Sequence, residues 1–271
     1  MILDDLAAAT RARVARKKME VPFEEVKQKA EKIAASEGVF TFPFERAIAK
    51  KEISFICEVK KASPSKGIIA ENFPYLDIAQ DYEKAGADCI SVLTEPDYFK
   101  GGDRFLMEIA DSVTVPIIRK DFTIDPYLIY EAKLLGASCV LLIAALLDTD
   151  SIRKYKEICD GLGLSALVEA HDEREVHSAL DAGVRLIGVN NRDLKTFIVD
   201  IQNSIRLRSL VPDNILFVAE SGIQSASDIQ KLRDARVDGV LIGETLMRSQ
   251  NKAEQLKRLK GVSVECVGDR L

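Results

Sequence analysis

The chain has 271 residues, of which 47% are hydrophobic and 6% aromatic, and its formal net charge is −5. This composition supplies a large aliphatic core and excludes a disordered chain, and the acidic balance argues against general binding of nucleic acid. The length is ordinary for an α/β barrel.

Neither a membrane-spanning run nor the apolar segment of a signal peptide is visible, so we expect a cytoplasmic protein without membrane contact. The cysteines contain no Cys-x-x-Cys pair, which predicts free thiols rather than disulfides or a zinc site. They are Cys57, Cys89, Cys139, Cys159 and Cys266. No clear signal for the oligomeric state is present, and a monomer is slightly favoured.

Residues 1–50 are predicted to form two polar, amphipathic helices ahead of the first strand. This extension either caps the barrel described below or shields its mouth, and both arrangements stay open. It contains a cluster of cations, which we interpret as a solvated helix face rather than a binding patch. They are Arg11, Arg13, Arg16, Lys17 and Lys18.

Beyond residue 50 the chain repeats one unit, an apolar β-rich run followed by a longer amphipathic helical stretch. The predicted strands are 55–60, 89–94, 116–120, 139–145, 166–169, 186–190, 216–220 and 239–243. Helical patterns cover 74–86, 124–136, 148–163, 171–183, 201–210 and 225–235. The spacing is that of βα units, and the nearly continuous apolar runs are typical of parallel strands covered on both faces.

Eight such units predict a closed (β/α)8 barrel, that is, a TIM barrel. We expect one domain over residues 1–271, with residues 1–50 as an N-terminal helical extension. A doubly wound open sheet is the alternative, but no Gly-x-Gly-x-x-Gly follows the first strand. The segment 261–271 has no clear assignment.

The end of the first strand carries the most informative pattern in the sequence. Glu58 and Lys60 are two residues apart, so their side chains point to the same face of the strand. Inside a barrel both charges would be costly to desolvate, and chains accept that cost mainly where the charges do chemistry. The Ser-Pro-Ser-Lys turn at 63–66 then offers hydroxyls, backbone N–H groups and a cation to an anion.

More polar residues follow at the carboxyl ends of later predicted strands, where TIM barrels carry their active sites. They are Lys120, Glu169, Asn190 and Glu220. Mutual pairing would keep these charges ionised, or shift their pKa values, within one pocket, which suits general acid–base catalysis without a metal or a nucleophile. The fourth predicted strand ends in an apolar run with Leu141 and Leu142, suited to one wall of an organic pocket.

The ends of the last two strands predict a phosphate site. Ser221, Gly222 and Gly243 lie where TIM barrels commonly bind phosphate through backbone N–H groups. Together with Ser63 and Lys60 they form a plausible phosphate cradle.

Other charged residues near the strand ends have plainer explanations. For Glu95, Arg119 and Asp121, each taken alone, exposure in a loop is an equally good interpretation. His171 follows the fifth predicted strand and could support a catalytic residue there, whereas His177 is expected on a helix surface. Neither histidine has a partner at metal-ligand spacing, so we predict no metal and no cofactor.

At these residues the chain resembles the indole-3-glycerol phosphate synthases. The resemblance runs in family order from about residue 1 to residue 250, and the first of its motifs is highly specific. The motifs are Glu-Val-Lys-Lys-Ala-Ser-Pro-Ser-Lys-Gly at 58–67, Leu-Thr-Glu at 93–95, Tyr-Phe-Lys-Gly-Gly at 98–102, Arg-Lys-Asp-Phe at 119–122, Leu-Val-Glu at 167–169, Gly-Val-Asn-Asn-Arg-Asp-Leu at 188–194, Ala-Glu-Ser-Gly-Ile at 219–223 and Ile-Gly-Glu at 242–244.

The resemblance implies a lyase of tryptophan biosynthesis. Its substrate would be the small phosphorylated molecule 1-(2-carboxyphenylamino)-1-deoxyribulose 5-phosphate, and its products indole-3-glycerol phosphate, carbon dioxide and water. Lys120 would be the general acid of ring closure, and Lys60 would hold the substrate carboxylate or act as the acid of dehydration. These two roles could be exchanged. Glu169 would act as base or stabilise positive charge on the nitrogen, and Glu58 would assist dehydration.

The resemblance also implies which residues hold the substrate. Asn190 and Glu220 would position it. The aromatic ring would contact Phe99, Leu141 and Leu142. The phosphate would be bound by Ser63, Ser221, Gly222 and Gly243, and Arg192 and Glu244 complete the predicted substrate-binding set.

Two other functions compete with this one. Another phosphosugar barrel, such as an aldolase, would use Lys60 or Lys120 as a Schiff base, which needs a lysine with a lowered pKa. A non-catalytic barrel would bind a partner through residues 1–50 and would be expected to lack some strand-end charges, of which none is missing.

Overall fold

The computed structural model describes residues 2–194 and 196–261. Within these residues eight parallel strands form a closed barrel, and β1 pairs with both β2 and β8 to complete the ring. The strands are β1 (Ser54–Val59), β2 (Cys89–Leu93), β3 (Ile117–Lys120), β4 (Cys139–Ile143), β5 (Ser165–Ala170), β6 (Leu186–Asn190), β7 (Leu216–Glu220) and β8 (Gly239–Ile242). The predicted TIM barrel is confirmed, and the alternative prediction of a doubly wound open sheet is wrong.

Helices precede the barrel and then alternate with its strands. They are α1 (Ile2–Glu20), α2 (Phe23–Glu37), α3 (Pro43–Ile48), α4 (Tyr75–Lys84), α5 (Asp103–Ala110), α6 (Pro126–Leu134), α7 (Thr149–Gly161), α8 (Glu173–Asp181), α9 (Gln202–Arg208), α10 (Ala226–Asp234), α11 (Glu244–Met247) and α12 (Lys252–Leu259). The predicted helices did not include α3, α5, α11 and α12, all of which have eight residues or fewer. A small hairpin, Ala62–Ser63 with Gly67–Ile68, follows β1.

The described helices lack the combination of length and hydropathy that a bilayer-spanning segment needs. Cys57, Cys89, Cys139 and Cys159 are free and buried, as the spacing predicted, and behave as small apolar side chains. Cys266 and nearly all of the segment 261–271 lie outside the described residues.

The two-residue period of the strands sorts the interior into layers. On β4, Leu141 and Ile143 belong to the core inside the barrel, while Leu142 packs in the core between strands and helices. An apolar layer inside the barrel contains Ile56, Ile118, Leu167 and Val218. Two residues further along the same strands, and therefore on the same face, stand Glu58, Lys120, Glu169 and Glu220. A charged layer thus lies on an apolar one at the carboxyl end of the barrel.

The N-terminal extension contributes to both ends of the barrel. At the amino end, Ile48 of α3 belongs to the inner core and lies against Gly239, the first residue of β8. At the carboxyl end, Ile2, Leu3 and Leu6 of α1 line the mouth of the barrel. Both arrangements left open by the sequence are therefore present, in different helices of the extension.

The predicted solvated basic face of α1 is wrong for three of its cations. Arg11 and Arg16 are exposed, but Arg13 is only 7% exposed and its Nη2 lies 2.6 Å from Asp121 Oδ1. The remaining two pair with acidic residues of the barrel, Lys17 with Asp103 and Glu131 and Lys18 with Asp125. This side of α1 is consequently fixed to the barrel by ion pairs.

Arg119 and Asp121 are buried parts of the same anchor, so their interpretation as exposed loop charges is wrong. The Nη2 of Arg119 lies 2.7 Å from Asp103 Oδ1 and 2.8 Å from Glu131 Oε2, and Asp121 Oδ2 accepts a 2.6 Å hydrogen bond from Thr94. Since Arg119 is one residue away from Lys120 on β3, it points outward to the helices while Lys120 points inward.

Candidate active site

A cavity of about 780 Å³ opens at the carboxyl ends of the strands, which is within the usual size of small-molecule sites. All the residues predicted as catalytic line it: Glu58, Lys60, Lys120, Glu169, Asn190 and Glu220. They come from five different strands and the residue that follows β1. The barrel therefore brings together side chains up to 162 positions apart, counted from Glu58 to Glu220.

Lys120 is the centre of the charged floor. Its Nζ donates to Glu169 Oε2 at 2.8 Å and to Glu220 Oε2 at 2.7 Å. The amide of Asn190 donates to the other oxygen of Glu169, Oε1, at 3.3 Å, and its own Oδ1 accepts from the backbone N–H of Arg192 at 3.0 Å. The orientation of the Asn190 amide is thereby fixed, and so is that of the Glu169 carboxylate.

Lys60 and Glu58 form a second pair at the edge of this floor. The Nζ of Lys60 lies 2.5 Å from Glu58 Oε1, and Ser91 Oγ lies 3.4 Å from Glu58 Oε2. Glu58 is 3% exposed, whereas Lys60 stands nearer to solvent. The two pairs place one lysine deep in the barrel and one beside the loops at the mouth.

Among the described side chains of the floor, two lysines face three glutamates. Glu169 and Glu220 therefore share one cation, Lys120. Burial alone would lower the pKa of Lys120, but Glu169 and Glu220 outweigh it and raise that pKa above its usual value. Burial would raise the pKa of Glu169, yet Lys120 and then His171 keep it well below its usual range. For Glu220, burial prevails over Lys120 and, with the charge of Glu169, raises the pKa to about 7.

The loops after β7 and β8 form the side of the cavity predicted to bind phosphate. Ser221 and Gly222 have φ values of 67° and 80°, so the backbone turns sharply through the left-handed region directly after β7. The Ser221 carbonyl accepts a 3.1 Å hydrogen bond from Asn191 Nδ2, and Thr245 Oγ1 donates to the carbonyl of Ile223 at 2.7 Å. These bonds join the loops of β6, β7 and β8. Ser63 and Gly243 line the same side.

Arg192 and Glu244 lie at the rim of the cavity. Glu244 stands between three cations: Arg248 Nε at 3.0 Å from Oε1, Lys66 Nζ at 3.6 Å from Oε1, and Arg192 Nη2 at 3.7 Å from Oε2. The carboxylate thus links the turn after β1 to the loop after β6. The positive charge that the sequence predicted for anion binding is present at this rim.

The apolar wall differs from the prediction in one residue. Phe99 and Leu141 line the cavity, but Leu142 points outward into the core under the helices and does not reach it. The inner face of β4 is occupied instead by Leu141 and Ile143, because the two alternate with Leu142 along the strand. Phe122 adds a ring 6.1 Å from that of Phe99.

Glu95 positions this aromatic wall and is not an exposed loop charge. It is 1% exposed, and its carboxylate accepts hydrogen bonds from the backbone N–H groups of Asp97, Tyr98 and Phe99 at 2.9, 2.8 and 2.9 Å. A buried carboxylate that receives several backbone N–H groups fixes the loop around it. The position of the Phe99 ring therefore depends on Glu95.

The sequence patterns missed the residues that α1 adds to the cavity, Ile2, Leu3 and Leu6. These positions carry no motif, and the ion pairs of Arg13, Lys17 and Lys18 that fix α1 to the barrel join residues far apart in the sequence. Within residues 2–194 and 196–261, no group of three His, Cys, Asp or Glu side chains is arranged to hold a metal ion.

Comparison with known proteins fits this geometry. The family model described as indole-3-glycerol phosphate synthase matches residues 3–259. The chain belongs to this family. The indole-3-glycerol phosphate synthase of Ruminiclostridium cellulolyticum is 60% identical over 96% of this chain and 99% of its own length, and that of Lachnoclostridium phytofermentans is 47% identical over 97% and 100%. The family predicted from the motifs is confirmed, and with it a lyase of tryptophan biosynthesis.

Solved structures add the fold alone. A crystal structure of 3-hexulose-6-phosphate synthase aligns with a TM-score of 0.61 over 78% of this chain and 100% of that one, at 13% sequence identity. The barrel is thus shared far beyond the indole-3-glycerol phosphate synthase family, while the charged floor is what the family motifs specify.

Gly243→Ala tests the close approach of the β8 loop to the pair at the edge of the floor. An added Cβ would lie 2.3 Å from Glu58 Oε1 and 2.8 Å from Lys60 Nζ. Both atoms are tips of flexible side chains, so we expect the fold to survive while the pair is displaced and kcat/KM falls about 10- to 100-fold. Steady-state kinetics measures kcat/KM, and circular dichroism reports whether the fold survives.

Gly161→Ala, where the new Cβ meets nothing within 4 Å, is the matched control. Unchanged kcat/KM in G243A would contradict the packing described.

Glu220→Gln tests the raised pKa of that carboxyl. Because the folded pKa is about 7 and the ordinary value 4.5, the folded state binds a proton between these pH values that the unfolded chain has released. This group's contribution to stability is therefore present below pH 4.5 and is lost as the pH rises through 7. The glutamine is neutral throughout, so the free energy of unfolding of E220Q relative to wild type should rise by about 1–3 kcal/mol between pH 5 and pH 8.5.

Urea unfolding at the two pH values measures this difference. Glu157→Gln, on the exposed side of α7, is the control and should show no such change. A relative stability of E220Q that falls with rising pH would show that Glu220 is stabilised as a carboxylate.

Proposed function

We propose that this chain converts 1-(2-carboxyphenylamino)-1-deoxyribulose 5-phosphate into indole-3-glycerol phosphate, carbon dioxide and water. The observation that carries the proposal is Lys120, a buried ammonium held by two carboxylates at the floor of a cavity with an aromatic wall on one side and anion-binding loops on the other. Family membership selects this reaction among those that such a cavity can perform.

Lys120 supplies the proton for ring closure. The aromatic carbon that bears the carboxylate attacks the ribulose carbonyl, and the carbonyl oxygen takes a proton from Lys120 Nζ as the new carbon–carbon bond forms. Loss of carbon dioxide then restores the aromatic ring. The raised pKa of Lys120 keeps this ammonium protonated before the step, and the short contacts to Glu169 and Glu220 hold it in place.

Lys60 and Glu58 act on the other side of the substrate. Lys60 holds the carboxylate until carbon dioxide leaves, or donates the proton with which the hydroxyl leaves as water; its position beside Ser63 and the β8 loop is compatible with both. Glu58, paired with Lys60, assists the dehydration. The two lysines could also exchange their acid roles.

Glu169 is the base that removes a proton during dehydration or stabilises positive charge on the nitrogen. The lowered pKa leaves it ionised over the whole physiological range, which both roles require. Asn190 and Glu220 position the substrate, and the pKa of Glu220 near 7 also lets it exchange protons with Lys120.

The phosphate binds at the loops after β1, β7 and β8. Ser63 and Ser221 offer hydroxyl groups, Gly222 and Gly243 offer backbone N–H groups, and Arg192 supplies charge. The carboxylate of Glu244 would repel a phosphate, so we assign it the role of orienting Arg192. We propose that the backbone N–H of Glu244 faces the ligand.

A Schiff-base aldolase is disfavoured for Lys120. Such an enzyme needs a neutral amine, that is, a lysine with a lowered pKa, whereas carboxylates raise the pKa of Lys120. We further propose that the chain works in the cytoplasm as one domain, without bound nucleic acid, metal or cofactor and as a monomer. The acidic net charge of −5 supports the absence of nucleic acid.

Lys120→Met tests the acid directly. We expect kcat for indole-3-glycerol phosphate formation, followed by the fluorescence of the product, to fall by at least about 10²-fold because no proton donor replaces the ammonium. Lys120→Arg keeps the charge between the two glutamates and thus guards against misfolding, and a guanidinium that does not release its proton should lower kcat as well. Lys154→Met, on the exposed side of α7, is the control. Wild-type kcat in K120M would make the assignment wrong.

A further inference from the structure

His171 lies directly after β5 and contacts Glu169, the proposed base. Its Nε2 is 3.4 Å from Glu169 Oε1, and its Nδ1 is 3.0 Å from Glu175 Oε2. The side chain is 15% exposed. The imidazole therefore stands between two carboxylates, one in the floor of the cavity and one on α8.

The local structure holds this ring in one orientation. The backbone N–H of His171 donates to Glu175 Oε2 at 2.8 Å, and its carbonyl accepts from Asn203 Nδ2 at 3.0 Å. Glu175 is itself buried at the start of α8, where its backbone N–H donates to the helix N-cap Asp172 at 2.9 Å. His171 is thus fixed through its backbone by α8 and α9 and through its ring by Glu175.

The two ring nitrogens indicate the charge of the imidazole. A carboxylate can only accept a hydrogen bond, so the Nδ1 that faces Glu175 carries a proton. The buried Nε2 makes no regular hydrogen bond to any residue that the structure describes, and it faces a second carboxylate, Glu169, at 3.4 Å. A lone pair on Nε2 would face that negative charge, so a proton is favoured there too. The ring is then a cation with carboxylates on both sides.

Among the residues that the structure describes, Glu169 and Glu175 are the carboxylates that pair with the ring. Asp172 is next in sequence, but its Oδ1 is occupied by the backbone N–H of Glu175. Lys120 binds Glu169 through Oε2, the oxygen that His171 leaves free. Burial alone would lower the pKa of His171, but Glu169 and Glu175 outweigh it and raise the pKa to about 10.

We propose that His171 is a positioning residue, a protonated imidazole that holds Glu169 Oε1 while Lys120 holds Oε2. The inference rests on the proposed role of Glu169. When Lys120 gives up its proton, Glu169 loses the charge of its main partner inside a buried site. The second cation keeps Glu169 ionised and in place through that step. Glu175 in turn keeps His171 protonated.

Titration of the ring by nuclear magnetic resonance tests the charge without any substrate. The chain has only two histidines, so His177→Asn, on the exposed face of α8, leaves His171 as the sole imidazole signal. We expect that signal to stay protonated up to about pH 9 and the apparent pKa to fall by at least about one unit on adding Glu175→Gln. A transition in the H177N protein near 6.5, the ordinary value for histidine, would overturn the proposal.

Kinetics test the positioning. We expect His171→Asn to lower kcat about 10- to 100-fold with KM changed less than about threefold, because a misplaced base affects the reaction more than substrate binding. His177→Asn is the matched control and should keep wild-type kcat. Glu175→Gln retains the ring and should lower kcat in the same direction, which provides a second readout where H171N folds poorly.

The outcomes separate this inference from the proposed function. A wild-type enzyme that forms product while H171N keeps its kcat would overturn the positioning role alone. A wild-type enzyme that forms no product would overturn the proposed function, and the titration of His171 would still decide the protonation of the ring.

Discussion

The ion pairs of Lys120 with Glu169 and Glu220 are the interaction on which the site depends. Removing three carboxylates and two ammonium groups from water is costly, and only short mutual contacts offset that cost. Burial, together with the charge of Glu169, raises the pKa of Glu220, while Lys120 and His171 keep the pKa of Glu169 well below its usual range. A single arrangement thus provides a protonated ammonium group, an ionised carboxylate and a second carboxyl whose pKa is near neutrality, the set of groups that the proposed acid–base roles require.

Two features of the fold make this arrangement possible: side chains alternate between the two faces of each strand, and the barrel is closed. Successive interior positions of one strand are two residues apart, so an apolar layer with Ile118 and Leu167 can be followed directly by Lys120 and Glu169. Closure of the barrel brings polar and charged side chains of five strands together at one mouth. The ion pairs of α1 hold Ile2, Leu3 and Leu6 over this mouth. The same alternation points Arg119 outward, where it pairs with acidic residues of the surrounding helices.

The barrel, its strands and its charged floor are predictable from the sequence, because they depend on local periodicity and on residues at strand ends. Features that depend on tertiary contacts are not. Leu141 and Leu142 stand in an unbroken apolar run, which hides the alternation that turns Leu142 outward. Arg13 looked solvated because its partner Asp121 is 108 residues away. Glu95 looked like a loop charge, yet it accepts from the backbone of its own loop, which no pattern of side chains signals.

We propose that side chains of this chain perform the acid–base chemistry of indole formation on their own. The fluorescence of indole-3-glycerol phosphate tests this when the purified wild-type protein acts on 1-(2-carboxyphenylamino)-1-deoxyribulose 5-phosphate with EDTA present and no metal added. The paired lysines and glutamates predict product formation at a rate that EDTA does not change. A protein that forms no product, or that loses its activity with EDTA and regains it with a divalent cation, would show that these side chains do not suffice.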